Sequence, residues 1–353
     1  MNIVEETATR VLQDHCTAQV INQAEGGTWP AALWEQLEES GLSLTWVPDE
    51  LGGGGAELAD GFSVLRVAGA FAAPVPLAET MLAGWMLARG GLASPAGPMS
   101  LAPVHEDEAL VLEADGRLRG SASEVPFARH AQHLAVLARQ GDAWVVALVE
   151  TAACKITPSA SLAGEARDLV VFDGVAVLES APVTLDPAGL RLLGAAVRAM
   201  QMAGALERIL NISLRYAGER VQFGRPIGGF QAVQHALAQL AGEVAAASAA
   251  ADAAAEMLRL LAPLDEAMLL EVAVAKIRVG EAAGVGAAIA HQAHGAIGFT
   301  QEYALQHCTR RLWGWREEFG GESAWSMLLG ALVARQGAEA LWPLVTGAPG
   351  AVT

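Results

Sequence analysis

The stretch ERVQFGRPIGGFQ, residues 219–231, places arginines, glutamines and aromatic rings around a sharp corner of the chain. Glycine and proline are poor residues for a helix interior. Four of them interrupt the alanine-rich helical stretches on either side: Gly224, Pro226, Gly228 and Gly229. The pattern supports two interpretations. The corner is a simple helix–helix turn, or it is retained because its side chains bind a ligand.

Two other groups have residue types that could do chemistry. His291 and His294 lie three residues apart, so on a helix they would share a face, as metal ligands can. We find no third ligand in the sequence and expect no metal site. Ser323 stands in GESAW without the Gly-x-Ser-x-Gly pattern of a nucleophile elbow, so it is a weak candidate nucleophile.

Composition excludes several classes of protein. The 353 residues include 22 Lys and Arg against 39 Asp and Glu, a net charge of −17, which argues against a nucleic-acid partner. The mean hydropathy is +0.33, but charges interrupt every long apolar run, so we expect no membrane span. The N-terminus resembles no targeting peptide, which favours a cytoplasmic protein. The three cysteines lie far apart, as free thiols in a reducing compartment do: Cys16, Cys154 and Cys308.

The elements that must position these residues fall into three parts. Residues 1–97 read as a helical domain, 98–186 as a middle β domain and 187–353 as a C-terminal helical bundle domain. The helices predicted from periodicity and end signals are 30–42, 59–73, 77–91, 190–221, 229–262, 264–296, 301–318 and 322–340. The predicted strand segments are a hairpin at 109–122 around Asp115-Gly116, then 133–138, 143–150 and 168–175.

Three segments together resemble the acyl-CoA dehydrogenase family. The corner is similar to that family's Arg-x-x-Phe-Gly, Pro-Ile and Phe-Gln pattern, and QAHGAIGFTQEYALQHCTRR (292–311) to its Gln-x-x-Gly-Gly-x-Gly-Phe segment. GLSLTWVPDELGGGGAEL (41–58) resembles the N-terminal Pro-Glu and glycine segment. The chain looks like a short, divergent member, similar to those of heteromeric dehydrogenases of sterol or other bulky acyl-CoAs. The resemblance implies an N-terminal helical domain, a β-barrel-like middle domain and a C-terminal four-helix bundle.

The resemblance also implies a cofactor and the residues that hold it. In this family FAD lies across a subunit interface, and Arg220 would pair with its pyrophosphate in bidentate geometry. Gln292 and the backbone near it would approach the adenosine side from the neighbouring subunit. The remaining implied flavin contacts are Gln222, Phe223, Gln231, Gly295 and Ala296, the last at a position where the family usually has glycine.

The catalytic base is harder to assign. The family's reaction takes a proton from Cα of an acyl thioester and a hydride from Cβ, and the proton needs a carboxylate. The two places where family members carry that glutamate hold Phe319 and Gly194 here. Glu318, one residue early, is the candidate base, although a solvated helix end is the plainer interpretation of Glu317 and Glu318. The β domain also lacks the family's Thr-Glu-Pro and Trp-Ile-Thr runs.

Two functions therefore compete. The first is FAD-dependent α,β-dehydrogenation of an acyl-CoA by a homodimer or homotetramer, with electrons passed to an electron-transfer flavoprotein. The second is a non-catalytic, flavin-completing subunit in a heterotetramer with a related chain. Nearby side chains leave further alternatives open. Trp313 and Trp315 could wall an acyl pocket or pack in the core, and Arg191 and Arg198 could meet CoA phosphates or lie on the surface.

Overall fold

The computed structural model describes residues 2–259 and 266–346. Within these residues the helices are α1 (Ile3–His15), α2 (Ala18–Glu25), α3 (Ala31–Glu39), α4 (Leu58–Ala70), α5 (Leu77–Arg89), α6 (Pro187–Glu219), α7 (Gln231–Arg259), α8 (Glu266–His294), α9 (Leu305–Glu317), α10 (Glu322–Gln336) and α11 (Leu341–Thr346). The eight helices predicted from the sequence correspond to α3 to α10, within a few residues at each end, whereas α1, α2 and α11 were not predicted individually. The last three residues of the predicted helix 229–262 and the first two of 264–296 lie outside the described residues.

The 33-residue helix α6 shows why the sequence begins a helix where it does. Asp186 is the N-cap, and its side chain accepts a hydrogen bond from the amide of Gly189. Pro187 occupies the first turn, where its missing N–H costs nothing. The helix then runs through small apolar residues and ends at the corner, where Arg220 takes an extended conformation. Its length places the corner far from the sheet.

The middle of the chain forms one sheet of eight strands: β1 (Met99–Ala102), β2 (Val111–Leu112), β3 (Arg117–Pro126), β4 (His133–Gln140), β5 (Ala143–Glu150), β6 (Lys155–Thr157), β7 (Arg167–Ala176) and β8 (Glu179–Val183). The order is β6-β7-β3-β2-β4-β5-β8, and β1 pairs with β4 in parallel. The predicted hairpin at Asp115-Gly116 is confirmed by the β2–β3 pairing, and the next one by β4–β5. Strands β1, β6 and β8 were not predicted; the residues of β1 follow a glycine- and proline-rich run, and β6 has only three residues.

One apolar core continues from the N-terminal helices into the C-terminal ones and onto one face of the sheet. A second, smaller core occupies the other face of the sheet. Helices α4 and α6 pack closely enough that Gly69 and Gly204 leave no room for a side chain: an added Cβ would lie 1.9 Å from the facing backbone oxygen in both cases. In the described part of the chain, no helix is long and apolar enough to cross a membrane.

Candidate functional site

The corner after α6 is a short β-hairpin, which we number β9 (Val221–Gln222) and β10 (Arg225–Pro226). Its two turn residues both have positive φ, +52° at Phe223 and +80° at Gly224. A two-residue turn of this kind suits the twist of a hairpin, but phenylalanine is strained there. Phe223 is 92% exposed, and its ring lies edge to face with Phe230 at 6.1 Å, so packing within the chain offsets little of that strain. The turn presents a strained aromatic ring to the outside of the protein.

The polar side chains of the corner are also unused. Arg220, Gln222 and Gln231 are exposed, and none has a side-chain hydrogen bond or ion pair among the described residues. The guanidinium of Arg225, by contrast, stacks on the ring of Phe230 at 4.2 Å. The corner therefore offers a free guanidinium and free amides, groups that hold anionic phosphates.

The second predicted segment lies beside the corner. The ring of Tyr216, one turn before Arg220, stacks on His294 with centroids 4.4 Å apart. His294 ends α8, and Gly295 follows with φ +64° and open space where a Cβ would stand. Gln292, Gly295 and Ala296 are all exposed. The structure thus brings the two motifs together on one face of the chain.

His291 and His294 are both buried, and each has at least one ring nitrogen within hydrogen-bonding distance of another residue of the chain. The Nε2 atom of His291 lies 2.8 Å from the Thr309 hydroxyl. In His294, Nδ1 lies 2.7 Å from the Ala290 carbonyl oxygen and Nε2 lies 3.2 Å from the Tyr303 hydroxyl. Burial lowers the pKa of both imidazoles. Among the described residues, no group of three His, Cys, Asp or Glu side chains could hold a metal ion.

Glu318 lies in a different environment, between the sheet and the bundle. Arg167, at the start of β7, donates to Glu318 Oε1 from Nε at 2.8 Å and from Nη2 at 2.6 Å. Arg198, in the middle of α6, donates to Oε2 from Nε at 2.7 Å. The side chains of Arg198 and Arg167 are only 2% and 6% exposed. Glu318 is therefore held by two buried guanidiniums rather than facing an open pocket.

These residues belong to a buried ion cluster that joins all three parts of the chain. Arg198 also donates to Glu79 of α5, and Arg167 to Glu165, which precedes β7. Glu165 in turn pairs with Arg311 of α9, and Arg311 with Glu25 of α2. We call these seven residues the ion cluster: Glu25, Glu79, Glu165, Arg167, Arg198, Arg311 and Glu318. Separating the three parts would leave buried charges without their partners, which is costly. The ion cluster therefore holds the three parts in a fixed arrangement.

The electrostatics of the ion cluster oppose proton transfer at Glu318. Burial alone raises the pKa of this carboxyl, but the charges and hydrogen bonds of Arg167 and Arg198 outweigh burial and leave the pKa below its ordinary value. A general base works best when its pKa lies near the working pH, so that it is free to accept a proton and still binds it well. Glu318 is a poor base for this purpose. Two guanidiniums already donate hydrogen bonds to both of its carboxylate oxygens, and they lower its pKa.

Phe319 and Gly194, the two positions at which the resemblance places a base, touch each other. The Phe319 ring covers Gly194 so closely that a Cβ there would lie 2.4 Å from Cδ1. Phe319 is 3% exposed and has φ +54°. Its carbonyl accepts a hydrogen bond from Trp325 Nε1 at 3.1 Å. Apolar packing therefore fills the place where a carboxylate would be expected.

Lys276 of α8 holds the end of α9, just before the loop that carries Glu318 and Phe319. Its Nζ donates to the carbonyl oxygens of Trp315 and Arg316 at 3.2 and 2.6 Å, at the end of α9. A cation there satisfies carbonyls that the helix leaves unbonded. Burial lowers the pKa of Lys276 to about 8.

Most of the ion cluster was not predicted from the sequence. Arg198 is neither a CoA-phosphate ligand nor a surface charge, because it is buried and paired within the chain. Trp315 is a core residue, 2% exposed, whose Nε1 donates to Glu165 Oε2 at 3.0 Å. One signal was present: Arg198 and Glu79 each interrupt an otherwise apolar helix, and a charge in that position needs a buried partner.

The similarity of this chain to known proteins agrees with the geometry. The family model of the acyl-CoA dehydrogenase N-terminal domain matches residues 2–94, and that of the C-terminal domain matches residues 193–323. The chain is 30% identical over 315 residues to the acyl-CoA dehydrogenase IpdE2 of Mycobacterium tuberculosis, covering 88% of this chain and 90% of that protein. The sheet, which carries none of the family's flavin-ring motifs, lies between the two matched segments.

Solved structures show the same fold. The ChsE4-ChsE5 complex of Mycobacterium tuberculosis contains a chain that matches with a TM-score of 0.85 at 22% identity, over 95% of this chain and 97% of that one. A glycine-to-alanine variant of the Tcur3481-Tcur3483 steroid ACAD matches with a TM-score of 0.83 at 25% identity, over 94% of this chain and 97% of that one. The helix–sheet–helix order, the paired corner motifs and these similarities lead to one conclusion: the chain belongs to the acyl-CoA dehydrogenase family.

Proposed function

We propose that this chain is the flavin-completing subunit of a heteromeric acyl-CoA dehydrogenase, and that a related partner chain supplies the carboxylate base. The observation that carries the proposal is the contact between Phe319 and Gly194, which places an aromatic ring over a glycine at both expected positions of the base. The low pKa of Glu318 supports it. So does the assembly named for one relative of the same fold, which pairs two different chains.

The residues at the corner fit FAD, and the fit rests on chemistry that the structure leaves unused. Arg220 would bind the pyrophosphate, and the amides of Gln222 and Gln231 would bond to the rest of the dinucleotide. Gln292 would approach the adenosine side of a dinucleotide across the subunit interface. Gly295 has no side chain and has open space where a Cβ would stand, so its backbone could approach the dinucleotide closely. The bound flavin supplies the acceptor for the hydride that leaves Cβ of the acyl chain.

The roles of the chain's own residues follow from this division of labour. Arg220 and its neighbours position the dinucleotide at the subunit interface, and the exposed Phe223 ring packs against the partner. The ion cluster keeps the region around Glu318 closed, so no substrate proton is taken there. We propose an electron-transfer flavoprotein as the acceptor of the electrons. The acyl-CoA itself would bind in the partner subunit.

The test begins with the chain alone and with any companion that co-purifies from its own organism, identified by mass spectrometry. Absorption between about 350 and 500 nm reports bound flavin, and anaerobic addition of acyl-CoAs reports its reduction. We expect the isolated chain to leave the flavin band unbleached with every acyl-CoA, and the complex to bleach. An isolated chain that binds flavin and is bleached by an acyl-CoA would overturn the proposal.

In the complex, Glu318→Gln distinguishes a structural role of Glu318 from a role as the catalytic base. If Glu318 only stabilises the ion cluster, the variant melts at a lower temperature while kcat of the folded complex is unchanged. If Glu318 is the base, kcat falls at least about 100-fold, the scale of general-base catalysis. Glu317→Gln, which removes the same charge from the exposed neighbour, is the matched control.

A further inference from the structure

Three aromatic rings pack together where the end of α6 meets the end of α8. His294, the last residue of α8, stacks on Tyr216 of α6 with the ring centroids 4.4 Å apart. The centroid of the Tyr303 ring lies 5.1 Å from that of His294 and 6.2 Å from that of Tyr216. These two tyrosines are the only ones in the sequence. We call the three residues the aromatic cluster.

Hydrogen bonds fix the orientation of the His294 ring. Its Nδ1 lies 2.7 Å from the Ala290 carbonyl oxygen, which can only accept, so Nδ1 carries the proton. Its Nε2 therefore accepts from the Tyr303 hydroxyl, 3.2 Å away. Burial lowers the pKa of His294, so the ring is neutral near pH 7 and keeps this tautomer. An apolar side chain would fill the same space but would make neither bond.

His294 contacts both segments to which the proposed function assigns flavin contacts. Tyr216 lies one turn before Arg220, and its hydroxyl donates to the His294 carbonyl oxygen at 3.4 Å. On the other side, the turn after α8 begins at Gly295 and folds back on His294: a Cβ on Gly298 would lie 3.2 Å from the His294 Cβ. A shift of the His294 ring would therefore move both segments.

We propose that His294 is a positioning residue for the flavin dinucleotide. It is only 4% exposed, so it acts through its neighbours: it holds the end of α6 before Arg220 and the turn that begins at Gly295. Each segment is then in place before its dinucleotide binds. Groups that are ordered in advance spare the ligand the entropy cost of ordering them, which raises affinity. The inference rests on the proposed function, because it takes the flavin contacts from there.

The measurement is the Kd of FAD for the assembly that contains this chain, by isothermal titration calorimetry after bound flavin has been removed. His294→Ala removes the ring and both of its hydrogen bonds, and we expect it to weaken FAD about tenfold or more. His294→Phe keeps a ring on Tyr216 without the hydrogen bonds. It should restore most of the affinity, leaving a loss of about two- to fivefold.

A variant that is equally destabilised elsewhere separates positioning from general stability. Leu206 is buried where α6 packs on α8, and its Cδ2 lies 3.2 Å from the place of a Cβ on Gly286. Leu206→Ala loosens the same two helices away from the corner. It should lower the melting temperature at least as much as His294→Ala does, yet change the Kd of FAD by no more than about twofold.

A double-variant cycle tests the bond between His294 and Tyr303. Tyr303→Phe removes the hydroxyl and keeps the ring, so it should weaken FAD about two- to fivefold. Because both substitutions break the same bond, the double variant should lose no more than His294→Phe alone. Thermal melting confirms that each variant is folded, and the cycle decides the question if His294→Ala does not fold.

Three results would overturn the inference. They are a Kd within about twofold of the unmodified value in His294→Ala, an equal loss in Leu206→Ala, and additive losses in the double variant. An unmodified assembly that binds no FAD would overturn the inference and the proposed function together. If the isolated chain binds FAD and is bleached by an acyl-CoA, only the proposed function fails, and the same titrations on the isolated chain test His294.

Discussion

The chain contains two Phe-Gly pairs with nearly the same backbone and opposite surroundings. Phe223-Gly224 has φ values of +52° and +80°, and Phe319-Gly320 has +54° and +96°. The Phe223 ring is 92% exposed and the Phe319 ring 3%. Left-handed conformation costs a phenylalanine on the order of 1 kcal/mol or more in either place. At Phe319, packing on Gly194 and the bond from Trp325 to its carbonyl offset that cost.

At Phe223, one edge-to-face contact with Phe230 offsets only part of that cost, because the residue is otherwise exposed. Strain that persists without internal compensation indicates that the compensating contacts come from outside the chain, from a ligand or a partner subunit. The comparison therefore separates a loop whose conformation serves the interior from a hairpin whose conformation serves an interface. Variants of each region can strengthen or contradict this distinction.

The largest effect is expected from Arg198→Met. The substitution leaves Glu318 and Glu79 with one fewer partner in the interior, and breaking a buried pair in this way costs about 3–5 kcal/mol of the free energy of unfolding. Urea unfolding measures it. Arg215→Met, on the exposed face of the same helix, should stay within about 0.5 kcal/mol. A loss below about 1 kcal/mol for Arg198→Met would mean that the ion cluster does not hold the interior together.

The paired substitutions Phe319→Gly and Phe223→Gly test the comparison directly. Removing a buried phenylalanine costs about 3–5 kcal/mol, and relief of the left-handed strain returns about 1, so Phe319→Gly should lose roughly 2–4 kcal/mol. Phe223→Gly loses only the edge contact with the Phe230 ring, whose centroid lies 6.1 Å away, and should raise the stability of the isolated chain by up to about 1 kcal/mol. Thermal and urea unfolding of the two variants give both values. Equal losses would contradict the contrast between interior and interface.

Gly194→Ala should destabilise by about 1–3 kcal/mol, because the new methyl group would lie 2.4 Å from the Phe319 ring. The matched control is Gly218→Ala, on the same helix, where a Cβ meets nothing within 4 Å. That control should gain up to about 1 kcal/mol in helix propensity. Adding Phe319→Gly to Gly194→Ala should cost less than the two single losses combined. Simple additivity would show that the ring can move aside.

The smallest expected effect is the loss of stability at acidic pH as Glu318 becomes protonated. The folded-state pKa of Glu318 lies below its ordinary value of 4.5, so its contribution to stability is present above about pH 4.5 and is lost as pH falls through the folded value. The stability difference between the unmodified protein and Glu318→Gln should therefore shrink below that pH, at no more than about 1.4 kcal/mol per pH unit. Urea unfolding between pH 3 and 7 measures it, with Glu317→Gln as the control. A constant difference would contradict the ionised pairing.

The sequence predicted the helices, the two central hairpins and the corner because those features are local. Helix caps, apolar periodicity and Asp-Gly turns lie within a few residues of the structure they determine. It also identified Phe319 and Gly194 as the two positions without a base. It could not show that these two residues touch, because their contact joins α6 to a loop more than 100 residues later.

The ion cluster was unpredictable for the same reason. Arg167 and Glu318 are 151 residues apart, and Arg198 and Glu79 are 119 apart. The residues around Arg198 in the sequence do not indicate which side chains pair with it. Its position in an apolar stretch of α6 indicates only that it needs a buried partner. The flavin contacts at Arg220, Gln222, Phe223, Gln231, Gln292, Gly295 and Ala296 remain predictions, as does a base role for Glu318. The structure places the flavin contacts together and exposed, and it places Glu318 apart from them in the interior.

The ion cluster also has a consequence for synthesis of the chain. Glu25 and Arg311 are 286 residues apart, so at about 5–20 residues per second Glu25 waits roughly 15–60 s for its partner to be made. During that interval Glu25 lacks its partner Arg311, and Glu165 lacks one of its two partners in the ion cluster. The N-terminal half cannot complete its core until the ribosome has passed α9. We therefore expect the nascent chain to depend on chaperones, and fragments that end before Arg311 to be insoluble.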